Sequence, residues 1–166
     1  MKNDVAGYEI VTRWRGGMAS ESNCRENRVD GQPQSSVQHV IYADEPQALG
    51  GKNSAPSPQE LLLAAFNACM TAVFAGVAQR EGIALSRLEI QTTGNFRLTP
   101  YESLPFVENE MPDSVRYLIR VSGDGSIAQF DNIHRSVIAT SPTRGILAQN
   151  MTVEGDMVVE SHLTTG

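Results

Sequence analysis

Cysteine is scarce in this chain: Cys24 and Cys69 are the only two in 166 residues. Two thiols do not staple a domain of this size, so the fold must rest on its core rather than on a disulfide framework. Neither has a CxxC partner, and His39, His134 and His162 are dispersed, so no zinc-site spacing exists and no metal or cofactor is expected. Each histidine is read as a surface or hydrogen-bonded residue. Basic excess is also missing. The net charge of −6 leaves no cationic surface for phosphate, which argues against a nucleic-acid partner. The opening M-K-N-D-V-A-G-Y-E-I carries no apolar stretch of signal-peptide length. With so little cysteine, the expected compartment is the reducing cytoplasm. No low-complexity run interrupts the sequence, which is 40% apolar and fits a single domain over residues 1–166.

Against these absences stands one long segment, Ser57 to Gly82. Ser57 is suited to an N-cap, Pro58 to the first helical position, and Glu60 to the third position of a capping box. Arg80 suits a helix C-terminus, and Gly82 the left-handed residue beyond it. No charge occurs from Leu61 to Ala78, and Cys69 lies in the middle. A helix apolar on every side must be buried in something. Its length is marginal for a membrane span, and its six alanines, Asn67, Thr71 and Gly76 make it only mildly apolar. It is therefore read as a core helix, with no membrane partner.

The flanks carry strand patterns. Tyr8–Trp14, Met18–Arg28 and Val37–Tyr42 are expected as a meander turned at Gly16-Gly17 and Asp30-Gly31. Residues 43–57, with their prolines and glycines, form an ordered loop. Leu85–Leu98 and Val115–Val121 are strands around a proline-rich excursion, Thr99–Asp113. Ser126–Thr140 has helical spacing, Ser141-Pro142 interrupts and restarts it over Pro142–Ala148, and Thr152–Glu160 closes as a strand. The order βββ-α-ββ-αα-β gives an α+β fold, a mostly antiparallel sheet on a long central helix.

Segment 55–70, A-P-S-P-Q-E-L-L-L-A-A-F-N-A-C-M, resembles the central-helix motif of the OsmC-like proteins. W-R-G-G (14–17), A-D-E-P-Q-A-L-G-G (43–51) and R-S-V-I-A-T-S-P-T-R-G-I-L (135–147) resemble other stretches of that family in the same order, so the likeness covers nearly the whole chain. The resemblance implies an intertwined homodimer, with sheets wrapped around two central helices. It also implies reduction of organic hydroperoxides by two cysteines, a role in the oxidative stress response. The first cysteine attacks the peroxide and the second, before a proline, resolves it. An arginine and a glutamate assist across the dimer interface.

The first cysteine corresponds to Cys69. At the Cys-Pro position stand Ser141 and Pro142, and a serine forms no resolving disulfide, so Ser141 is read as a helix cap. The glutamate's place holds Gln59, with Glu60 one residue later. Arg13 and Arg15 flank Trp14 where one branch of the family keeps its arginine. The resulting candidates are Cys69, Glu60 and Arg15 for catalysis. Leu62, Phe66 and Val73, on the side of the helix that bears Cys69, are the candidates for an apolar substrate site. Burial alone would raise the thiol pKa, so reactivity demands a donor brought from elsewhere in the fold. Two readings follow. One is a single-cysteine thiol peroxidase regenerated by an external thiol. The alternative is a non-catalytic dimer that binds a small apolar ligand at its interface.

Overall fold

The computed structural model describes residues 5–34, 38–97 and 113–160. The excursion read over Thr99–Asp113 falls almost wholly outside the described residues, as do Val37, Leu98 and His162. The chain divides into two compact units, one up to Leu61 and one from Leu62 onward.

The first unit is a four-stranded antiparallel sheet of β1 (Ala6–Trp14), β2 (Ser20–Val29), β3 (Gln32–Pro33) and β4 (His39–Ala43). β2 lies at its centre, paired with β1 on one side and with both β3 and β4 on the other. The turns arise where the sequence places small residues. Asp30 and Gly31 take φ values of 49° and 78° between the paired Val29 and Gln32, the two-residue hairpin geometry that favours Asp-Gly. The W-R-G-G stretch closes through the Trp14 indole, which donates to the Gly17 carbonyl at 2.9 Å, with both glycines at positive φ.

The loop from Ala43 to Ser57 is ordered by one buried carboxylate. Asp44 accepts from the backbone N–H groups of Glu45, Lys52 and Ser54 and, at 2.7 Å, from the Ser54 hydroxyl. The Ser54 hydroxyl and the converging amides hold its pKa down to about 2. Its folded pKa lies below the unfolded one, so its contribution to stability is complete above the ordinary carboxylate range. That contribution is lost as pH falls from about 4 through about 2. Asp44→Asn is expected to be less stable than the parent near pH 7, and the gap should narrow as pH falls below about 4 and close at about pH 2. Urea unfolding at several pH values measures this, and a gap independent of pH would refute the assignment.

α1 runs from Pro58 to Arg80. Its capping box forms as the sequence implies: the Ser57 N–H and hydroxyl donate to Glu60 Oε2 at 2.7 and 2.8 Å, and the Glu60 N–H donates to Ser57 Oγ at 3.3 Å. At the other end Gly82, at φ 72°, lets the Ile83 N–H reach back to the Ala78 carbonyl, the Schellman arrangement.

The second unit packs α1, from Leu62 on, with β5 (Leu85–Asn95), β6 (Ser114–Gly123), α2 (Ile127–Thr140), α3 (Pro142–Leu147) and β7 (Thr152–Val159). β6 is central, and its Val115, Tyr117, Ile119 and Val121 alternate into the core, as period-2 patterning demands. β5 pairs with it antiparallel; β7 pairs parallel, because α2 and α3 form the crossover that returns the chain in the same direction. Phe66, Met70, Phe74, Val77 and Ala78 form the stripe of α1 buried against this core. The opposite side of the helix, including Ala64, Ala65, Ala68, Ala72 and Ala75, is exposed in the single chain. The expectation of a helix buried all round is met on one face only.

Candidate active site

Cys69 is half-buried at the middle of α1, beside the junction of α2 and α3. That junction is built by Ser141-Pro142. The Ser141 N–H donates to the Val137 carbonyl and closes α2, while its carbonyl accepts from the Gly145 N–H and opens α3. Pro142 occupies the first position of α3, where its missing N–H costs nothing. Ser141 is 3% exposed, and its side chain makes no capping bond to α3. Its hydroxyl instead donates to Cys69 Sγ at 3.3 Å. Ser141 is the N-cap residue of α3, as expected of a helix cap, but its hydroxyl goes to the thiol rather than to the helix.

Among the described residues, the hydrogen bond to this sulfur comes from the Ser141 hydroxyl. Burial, the largest single influence, pushes the Cys69 thiol up. The Ser141 hydroxyl, the Thr143 hydroxyl and the Thr143 N–H together outweigh it and leave the pKa below that of an ordinary cysteine. Thr143 was not singled out from the sequence. Its signal was present in S-P-T: with Pro142 lacking an N–H, the next amide is Thr143's.

The other candidates lie in different settings. Glu60 is held by Ser57 in the capping box, and those bonds keep its carboxyl below the usual range. It stands nine residues before Cys69 on one helix, which at about 100° per residue places the two on opposite sides. Arg15 follows β1, with 61% of its side chain exposed and its Nε 3.7 Å from Glu21. Leu62 and Val73 are partly buried against the core. Phe66 corrects the proposed apolar lining: it is fully buried within its own chain, its ring 5.8 Å from that of Tyr117, and it is a core residue.

Tyr117 also meets His134, hydroxyl to Nε2 at 3.0 Å, so this histidine is hydrogen-bonded as expected. Burial first, and Arg144 second, depress the His134 pKa. Gly155, paired with Tyr117, leaves the space its ring occupies: a Cβ there would collide with the ring. Cys24 is a free thiol on β2, opposite Ile10 and His39, lining a groove of about 260 Å3. Among the described residues, no group of three or more His, Cys, Asp or Glu side chains is placed to hold a metal.

An α+β domain whose long helix presents a hydrogen-bonded thiol to a Ser-Pro helix junction defines a class of thiol-bearing proteins. The chain belongs to the OsmC-like protein family, which matches residues 51–155 and so reaches across both units. No curated protein matches the sequence. Solved structures share its fold. An OsmC-like protein from Mycoplasma pneumoniae has 14% identity and a TM-score of 0.69, over 93% of this chain and 98% of that one. An organic hydroperoxide resistance protein from Legionella pneumophila has 17% identity and a TM-score of 0.57, over the same shares. OhrB of Bacillus subtilis, an organic hydroperoxide resistance protein, has 15% identity and a TM-score of 0.53, again over 93% and 98%.

Proposed function

We propose that this protein reduces organic hydroperoxides through Cys69 and takes its reducing equivalents from an external thiol. The observation that supports it most is the Ser141 hydroxyl hydrogen-bonded to the Cys69 sulfur at 3.3 Å. A half-exposed thiol whose pKa is brought below the ordinary cysteine value offers more thiolate for attack than a buried structural cysteine does.

In the proposed cycle the Cys69 thiolate attacks one peroxide oxygen and the O–O bond breaks. The alcohol leaves with a proton, and the sulfur is oxidised to a sulfenic acid. Ser141 has no sulfur to offer, so a thiol from outside displaces the hydroxyl as water and forms a mixed disulfide. A second external thiol releases Cys69 and departs as the oxidised disulfide. Leu62 and Val73 offer an apolar flank suited to an alkyl hydroperoxide. A cytoplasmic location would supply the thiols.

The proposal includes a homodimer. Its support is the exposed, uncharged face of α1 and the exposed Tyr8, Ile10 and Trp14 on β1, more apolar surface than an isolated chain has use for. Arg15, loosely paired, is the cation such a partner would bring to Cys69.

The test is to treat the folded protein with cumene hydroperoxide in the presence of a sulfenic-acid trap and to map the adduct by mass spectrometry. Labelling of Cys69 is expected at one equivalent of peroxide. An unlabelled Cys69 in folded protein overturns the proposal.

A further inference from the structure

An N-cap serine ordinarily spends its side-chain oxygen on the second or third amide of its own helix. Ser141 does not. Its backbone is fixed on both sides, by the bond from its N–H to Val137 and the bond to its carbonyl from Gly145. Its hydroxyl is nearly sealed from solvent and has one partner, Cys69 Sγ. Pro142 removes the first amide of α3, and no side-chain oxygen of Ser141 caps the amides that follow. Capping is worth about 1 kcal/mol to a helix, and α3 forgoes it on the side chain that would supply it.

We propose that Ser141 is a positioning residue for Cys69: its hydroxyl, withheld from its own helix, orients the sulfur and holds it ready as a nucleophile. The inference rests on Cys69 being reactive and deepens that reading by naming what makes it so. It also accounts for a thiol that works without a charged neighbour among the groups hydrogen-bonded to it within the chain. Position 141 is suited to this because the two helices it joins fix its backbone, so the hydroxyl is delivered without the entropy of a free side chain. Replacing the hydroxyl by hydrogen leaves both backbone bonds in place, so Ser141→Ala isolates the side chain's role.

The test is the rate of iodoacetamide alkylation of Cys69 against pH, read on its peptide by mass spectrometry. Cys24 is scored in the same digest as an internal standard. In Ser141→Ala the Cys69 profile is expected to move to higher pH, with alkylation about tenfold slower near neutrality. That is the size of one hydrogen bond to a charged group. Ser141→Thr, which keeps a hydroxyl, is expected to restore most of the rate. An unchanged profile in Ser141→Ala overturns the proposal, as does an equal shift in both variants, which would mark a packing role. Alkylation needs no peroxide, so a failure to form sulfenic acid would defeat the peroxidase reading and leave this measurement standing.

Discussion

Cys69→Ala is expected to reduce hydroperoxide consumption to the rate of the reducing thiol alone, a loss on the order of a thousandfold or more. The proposed cycle gives no step to Cys24, a free thiol on β2 opposite Ile10 and His39. Cys24→Ala is therefore expected to keep full activity. Peroxide loss followed by a ferrous-xylenol orange assay, with dithiothreitol as reductant, measures both. The single-thiol cycle also predicts that consumption depends on the concentration of a monothiol reductant, since two external thiols enter each turnover. Full activity in Cys69→Ala would remove the catalytic reading and leave the scaffold with an apolar ligand as the alternative.

The parts of the fold legible in the sequence are those written in local chemistry. Ser57-Pro58 with Glu60 fixes where α1 begins, because a capping oxygen, a missing amide and a reciprocal carboxylate need nothing from the rest of the chain. Gly82 and Asp30-Gly31 are read as readily, since only those residue types accept the backbone angles the turns require. The parallel entry of β7 was not legible, because direction is set by a crossover and not by residue pattern.

The site was legible in part. Cys69 stood out because it is the one sulfur other than methionine in an uncharged helix. What lies beside it did not, because α1 is apolar on every side and its periodicity names no inward face. Phe66 and Cys69 are three residues apart and so neighbours on the helix surface, yet the ring enters the core while the thiol meets the α2–α3 junction. Ser141 was visible as a cap position. Where its hydroxyl goes is decided by tertiary packing across 72 residues of chain.

Ala68→Glu tests the proposed dimer. In the single chain Ala68 is exposed on α1. There a glutamate is a surface change, worth no more than about 0.5 kcal/mol to the stability of the chain itself. If two copies pack these helices face to face, the same glutamate is carried into an apolar interface with no cation opposite, and its twin approaches from the other copy. Burying an unpaired carboxylate costs several kcal/mol, and each 1.4 kcal/mol is tenfold in a dissociation constant. The dimer is therefore expected to weaken by a thousandfold or more, and sedimentation velocity should show a particle of one chain's mass where the parent sediments as two. If Arg15 reaches Cys69 from the partner, activity and the rate of Cys69 alkylation are both expected to fall with the dimer, since a cation beside a thiol lowers its pKa, whereas the hydrogen bond from Ser141, made within the chain, should persist. Loss of activity together with slower alkylation would place a cation of the second copy beside the thiol, and unchanged alkylation would argue against one. A variant that still sediments as two chains and still consumes peroxide would show that this face of α1 does not pair.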